Sequence, residues 1–78
     1  MGKQNIKNNI RRLRFNADEM TQQKLADDVG VSRQTIVAIE KGNYSPSLIL
    51  AFQIAHSFNV PLEEVFTYEP KTNDKKSN

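Results

Sequence analysis

The stretch TQQKLADDVGVSRQTIVAIEKG, residues 21–42, constrains the fold more than any other part of this chain. Thr21 has the chemistry of a helix N-cap, because its hydroxyl can accept from an early helical N–H. Leu25, Ala26 and Val29 then recur at helical spacing. Gly30 follows directly, where a helix commonly ends in a left-handed residue that glycine adopts at least cost. Ser32 can cap a second helix over residues 33–41, with Ile36 and Ile39 as its inward pair, and Gly42 ends it as Gly30 ended its neighbour. The core makes no demand on Arg33, Gln34, Thr35 and Val37, so the second helix carries a surface that needs another explanation.

The flanking sequence supplies packing partners. Ile6, Ile10 and Leu13 recur at i, i+4 and i+7 and predict an amphipathic helix over residues 6–16. Lys7, Arg11 and Arg14 have the same spacing and form a basic stripe beside it; Lys7 and Arg11 are a solvated helix face or, alternatively, phosphate contacts. Residues 16–19 are polar and form a connection, and NYSPS is a turn-rich loop. Ser47 can cap a helix over residues 48–58. That helix is apolar around most of its circumference through Leu48, Leu50, Ala51, Ile54, Ala55 and Phe58, so it should be the central pillar of the core. Gln53, His56 and Ser57 form its polar stripe. Asn59 suits the residue past its end, and Pro61 suits the first turn of a short helix over 61–66. FTYE adds a brief extended segment, and KTNDKKSN has the composition of a disordered tail. The expected architecture is all-α: a compact five-helix bundle over residues 6–66, preceded by an extension at 1–5 and followed by one at 67–78.

A chain of 78 residues holds one small domain with a modest core. It has no cysteine, which excludes a disulfide staple and a thiolate metal site. Such a domain needs closely packed helices or a partner subunit. No apolar run is long enough to span a bilayer, and the start MGKQNIKNN lacks the apolar region of a secretion signal, so the cytoplasm is the expected location. The net charge of +2 says little, but its distribution says more. Lys7, Arg11, Arg12, Arg14, Arg33 and Lys41 lie in the first half, and Glu63, Glu64 and Glu69 near the end. His56, the sole histidine, has no carboxylate or thiol at ligand spacing. Glu63 and Glu64 are adjacent and diverge around a helix. No nucleophile–base arrangement and no glycine-rich phosphate loop is present. An enzyme is therefore not expected, nor a metal, a cofactor or a small-molecule effector.

Two short helices joined by a tight glycine turn, with one element before and two after, form the helix-turn-helix pattern. Its second helix enters the major groove while the first crosses the phosphate backbone. Arg33, Val37 and Lys41 share one face of that helix, flanked by Gln34 and Ala38. Arg33 can donate twice to guanine, and Gln34 can pair bidentately with adenine. Val37 can meet a thymine methyl or be an ordinary exposed valine. Ser32 and Thr35 stand at the helix start, where Thr35 either supports the turn or contacts a phosphate. Gln22 and Gln23 open the preceding helix, whose N–H groups favour a phosphate; Gln22 can instead brace Arg33. Lys41, Asn43 and Tyr44 follow and can touch the DNA backbone.

MTQQKLADDVGVSRQTIVAIEKGNYSPSL, with its continuation LAFQIAHSFNVPLEEVF, resembles the Xre/Cro family of helix-turn-helix regulators, over about residues 6–66. The spacing of Thr-Gln, Leu-Ala, Val-Gly-Val-Ser, Ile-Glu-Lys-Gly and Pro-Ser-Leu carries the likeness, which is greatest to minimal stand-alone bacterial or phage members. The resemblance implies a five-helix bundle of the lambda-repressor type and DNA contacts at Gln22, Arg33, Gln34, Thr35, Val37 and Ala38. It also implies a structural ion pair between Arg14 and Glu40. One departure is visible. Five residues, 15–19, separate Arg14 from Met20 where many members have four, which leaves the register of that pair open.

Ile49 falls inside the polar stripe of its helix, and Phe66 and Tyr68 lie beyond it. Together they can form an exposed apolar patch, the mark of an interface; alternatively Phe66 and Tyr68 fold back onto their own core. A symmetric dimer would set two recognition helices roughly 34 Å apart on a palindromic site. The expected function is sequence-specific binding of double-stranded DNA by a homodimeric transcriptional regulator, a repressor. The competing class is a protein-interaction module such as an antitoxin.

Overall fold

Where the apolar spacing predicts helix from residue 6, the chain begins instead as a strand. The computed structural model describes residues 6–69; the extension expected at 1–5 and most of that at 67–78 lie outside the described residues. Strand β1 (Ile6–Asn8) precedes helices α1 (Ile10–Asn16), α2 (Gln22–Val29), α3 (Arg33–Glu40), α4 (Leu48–Phe58) and α5 (Leu62–Val65), and strand β2 (Phe66–Tyr68) closes the order. The strands pair antiparallel, with Ile6 opposite Tyr68, Lys7 opposite Thr67 and Asn8 opposite Phe66. The fold is therefore five helices plus a two-stranded sheet, a correction to the all-α expectation.

The physical reason lies in the far end of the chain. Phe66, Thr67 and Tyr68 favour extended backbone, and Phe66 is already extended at φ −123°, ψ 133°. The helix expected over 61–66 accordingly stops at Val65, with Pro61 as its cap residue. Residues 6–8 then find a ladder partner that a local pattern cannot reveal. Ile6 is 47% exposed while Ile10 is fully buried, so the two do not share a helix face. Lys7 likewise leaves the basic stripe and faces Glu69, with Nζ–Oε2 at 3.4 Å on an exposed surface.

Three helices start as their sequences require. The Thr21 Oγ1 accepts the Lys24 N–H at 2.9 Å, the Ser32 Oγ that of Thr35 at 3.2 Å, and the Ser47 Oγ that of Leu50 at 3.1 Å. Gly30 (φ +77°) and Asn59 (φ +59°) end α2 and α4 in the left-handed region. Helix α3 stops at Glu40, one residue before the expected end. Lys41 is its cap, and Gly42 makes the left-handed turn beyond it.

Ile10, Leu25, Ile36, Ile39, Ile54 and Val65 form the centre of the core, each with almost no exposure. They come from all five helices, and Leu13, Phe58 and Phe66 pack around them. In α4 only Leu50, Ala51, Ile54 and Ala55 are buried. Leu48, expected inside, is 69% exposed, and Ile49 and Phe52 are exposed beside it. A helix apolar on most sides has more apolar surface than one core can cover.

The long first loop shows how its extra residue is absorbed. Asp18 (φ +65°) and Glu19 (φ +58°) are two successive left-handed residues. The Met20 N–H donates to the Arg14 carbonyl at 2.8 Å, and the Arg14 Nη1 donates to the Met20 carbonyl at 2.9 Å. Arg14 and Met20 thus clasp each other across the loop. A glutamate in the left-handed region carries a steric cost that glycine does not. Glu19→Gly is expected to stabilise the fold by about 0.5–1 kcal/mol, after the greater chain entropy of glycine is offset. Urea unfolding measures this; a loss of stability would show that the Glu19 side chain has a compensating contact.

Candidate nucleic-acid interface

The cleft between α1, α2 and α3 is organised around one carboxylate. The Arg14 Nε donates to the Glu40 Oε2 at 2.7 Å, and its Nη2 to the Glu40 Oε1 at 3.1 Å. The Gln22 Nε2 donates to the same Oε1 at 3.1 Å. Both ionic side chains are largely buried, at 15% and 11% exposure. The pair implied by the resemblance is therefore formed, and formed bidentately, the stronger geometry for a guanidinium and a carboxylate. Gln22 braces Glu40, which corrects the reading in which it could brace Arg33. An ionised carboxylate is a better acceptor for an amide N–H than anything a guanidinium offers.

Arg11 and Arg14 from α1, Thr21, Gln22 and Gln23 at the start of α2, and Arg33, Val37, Glu40 and Lys41 line one open cleft. Glu40 offsets Arg14, so Arg11, Arg33 and Lys41 supply the cleft's uncompensated positive charge. All three are exposed, and none of their side chains makes a hydrogen bond or ion pair among the described residues. The sequence left Arg11 between a solvated helix face and a phosphate contact. Its signal was the basic stripe on the first helix, which loses Lys7 to the sheet and keeps Arg11 and Arg14.

The remaining candidates divide by position. Gln34 is exposed at the start of α3 beside Arg33 and likewise has no partner among the described residues. Ser32 and Thr35 share a hydroxyl–hydroxyl contact of 3.1 Å at the cap, so Thr35 does support the helix start. Ala38 and Val37 are half-buried. Gln23 turns its amide to Asp27 at 2.9 Å. Asn43 sits in the turn past α3, its N–H donating to the Ala38 carbonyl. Tyr44 does not line the cleft; it borders a separate apolar groove with Ile6, Leu48 and Phe66.

On the opposite side of α2, the Lys24 Nζ meets the Asp28 Oδ1 at 2.8 Å. The hydrogen bond that Lys24 donates to Asp28 holds the Asp28 carboxyl below its ordinary range and raises the Lys24 ammonium above its own. The Ser57 Oγ also donates to Asp28, at 3.3 Å, which ties α2 to α4.

The three candidate interface residues do not form one patch. Phe66 is half-buried against its own core, whereas Tyr68 is 66% exposed. Ile49, at 71% exposure, lies instead with Leu48 and Phe52 along α4. Among the described residues no helix is long and apolar enough to cross a membrane, and no three metal-ligating side chains come together.

Two short helices held at a fixed angle by a glycine turn, with the second presenting unpaired polar side chains beside a basic cleft, define a helix-turn-helix protein. The comparison with protein families agrees: the model described as Helix-turn-helix matches residues 10–65, and the chain belongs to this family, in its Xre type. An HTH-type transcriptional regulator of Methanocaldococcus jannaschii is 62% identical over 50 residues, covering 64% of this chain and 76% of its own. The HTH-type regulator YgzD of Bacillus subtilis is 47% identical over 64 residues, 82% of this chain and 96% of its own. Among solved structures, the restriction-modification controller protein C.AhdI from Aeromonas hydrophila superposes with a TM-score of 0.63 at 27% identity, covering 70% of this chain and 78% of its own.

Removing one partner of the central pair isolates its role. Arg14→Ala leaves the Glu40 carboxylate largely buried with its guanidinium gone, and should cost about 2–4 kcal/mol in urea unfolding. Replacing both, Arg14→Met with Glu40→Leu, should recover part of that loss. An equal loss in both variants would show that the pair itself, and not the orphaned charge, carries the effect.

Proposed function

We propose that this regulator reads double-stranded DNA by sequence, inserting α3 into the major groove of a palindromic operator and repressing transcription in the cytoplasm. The observation that carries the reading is the exposure of Arg33 and Gln34, without intramolecular partners among the described residues, at the start of a helix whose opposite face is packed into the core. Arg33 donates to guanine O6 and N7, Gln34 pairs with adenine, and Val37 meets a thymine methyl. Each bidentate contact discriminates by about 1–3 kcal/mol. Arg11, Lys41 and the N-terminus of α2 at Gln22 and Gln23 take phosphates and set the register. Ser32, Thr35, Ala38 and Asn43 flank these contacts and close against the DNA backbone. Residues 6–66 are the DNA-binding unit, with the motif at 21–41.

The functional unit is a homodimer. Leu48, Ile49 and Phe52 expose apolar surface along one helix, the kind of patch that marks an interface. The relative RstR of Vibrio cholerae, 34% identical over 67 residues, is named a phage transcriptional repressor, which supports repression here. The same apolar patch also suits a second reading, an antitoxin-like module that binds a protein partner.

Selection of duplexes from a random pool at about 150 mM salt, where phosphate-only binding is suppressed, should return a palindrome with half-sites about 10 base pairs apart. Arg33→Ala should weaken the selected site by about 5–100-fold and relax one base position. A folded protein that selects nothing would favour the second reading, in which Arg33→Ala leaves a protein complex intact. Leu48→Glu should give monomers in sedimentation analysis with the helical content retained; dimers in that variant would move the interface elsewhere.

A further inference from the structure

The sheet that the sequence did not reveal is joined to the end of the recognition helix by a single side chain. The Asn8 Nδ2 donates to the Ile39 carbonyl at 3.0 Å and to the Glu40 carbonyl at 3.4 Å. At the other end of the same amide, the Asn8 Oδ1 accepts the Ile10 N–H at 3.2 Å, in the first turn of α1. Both ends of the amide are therefore engaged, one by the C-terminus of α3 and one by the N-terminus of α1. The last carbonyls of a helix lack intrahelical donors and need others. Those of Val37, Ala38 and Ile39 receive the N–H groups of Lys41, Asn43 and Gly42. Asn8 supplies a donor to the Glu40 carbonyl and a second to that of Ile39.

Asn8 is itself held in place. It stands opposite Phe66 in the sheet. The Asn9 N–H donates to the Val65 carbonyl at 2.8 Å, and the Asn9 Nδ2 to the Glu64 carbonyl at 3.0 Å. The backbone that carries the Asn8 amide is thus fixed to β2 and α5, and the amide itself is held by its bonds to α3 and to the Ile10 N–H. The ion pair of Glu40 fixes one side of the last turn of α3 through its side chain, and Asn8 fixes that turn through its backbone.

We propose that Asn8 is a positioning residue for DNA readout: by anchoring the C-terminal carbonyls of α3 to the β1–β2 sheet, it sets the angle at which Arg33 and Gln34 meet the bases. The inference rests on the DNA-reading function proposed above. Asn8 touches no base and carries no charge, so it acts on the geometry of base contact and not on attraction to phosphate. Its loss should lower affinity for the selected duplex while leaving unspecific, salt-driven binding unchanged.

The test compares wild type, Asn8→Ala and Asn8→Asp on the selected duplex and on unrelated DNA, at a temperature where circular dichroism shows each variant folded. Asn8→Asp keeps an acceptor for the Ile10 N–H but has no amide to donate to α3. Both variants should lose about tenfold or more on the selected site, the scale of one weakened bidentate contact; in the uncharged Asn8→Ala variant the affinity for unrelated DNA and the salt slope should be unmoved. A purely structural role would lower the melting temperature and leave the affinity of the folded protein intact; that result overturns the proposal. Wild-type NMR covers the case in which neither variant folds. In the DNA complex the Asn8 side-chain amide protons should exchange with water far more slowly than those of Asn43, and equal rates overturn the proposal. A wild type that selects no duplex removes the DNA-reading function and this inference with it. A wild type that binds its site, with variants that bind it equally well, removes the inference alone.

Discussion

The packing of the three N-terminal helices depends on the pair between Arg14 and Glu40. Neither helix contact nor loop alone fixes α1 against α3: α1 is only seven residues long, and Ile10 is its single fully buried side chain. The guanidinium closes that gap with three bonds at once, two to Glu40 and one to the Met20 carbonyl. It therefore joins α1, the loop before α2 and the last turn of α3 through one rigid plane. A lysine could hold the charge but not the fork geometry. Gln22 adds the start of α2 to the same carboxylate, so one acidic group brings three helices to a common point beneath the basic cleft.

This arrangement separates two demands that would otherwise conflict. The recognition helix needs side chains free to meet DNA, yet a short helix has little stability of its own. Helix α3 resolves this by being fixed from the back and from both ends. Ile36 and Ile39 are buried, Ser32 caps the start, and Glu40 and the Asn8 amide hold the finish. The outward face at Arg33, Gln34 and Val37 can then be polar or loosely packed without loss of order.

Much of this was legible in the sequence because the signals are local. Thr21, Ser32 and Ser47 as caps, Gly30 and Asn59 as left-handed stops, and the inward Leu25, Ala26, Val29, Ile36 and Ile39 all follow from spacing within a few residues, and all appear as read. The misread elements depend on contacts distant in sequence. Ile6 and Ile10 fit a helix by spacing, and only the approach of residues 66–68 turns 6–8 into a strand. The Gln22 amide had two candidate roles, and the choice was made by where Glu40 lies in space. Arg11 was undervalued because a basic stripe on a helix usually faces solvent; its place in the cleft appears only once α2 and α3 are set beside it. Leu48 was assigned to the core because periodicity cannot tell which side of an almost wholly apolar helix a small fold has room to cover.

The same excess on α4 explains how the two faces of the molecule relate. A core this small accepts Leu50, Ala51, Ile54 and Ala55 and leaves Leu48, Ile49 and Phe52 in water. That exposure costs roughly 25 cal/mol for each Å² of apolar surface not buried, and a monomer gains nothing from it. The basic cleft is lined from α1, α2, α3 and Lys41, whereas this apolar strip belongs to α4, which contributes nothing to the cleft. In the proposed homodimer, a second copy docked on α4 would cover this apolar surface without competing with DNA. One eight-residue helix can meet only a few bases; in the proposed dimer, two such helices fixed to each other through α4 would read twice as many in one register. The proposed assembly would thus answer both the apolar surface that the monomer cannot cover and the short site that one such helix can read.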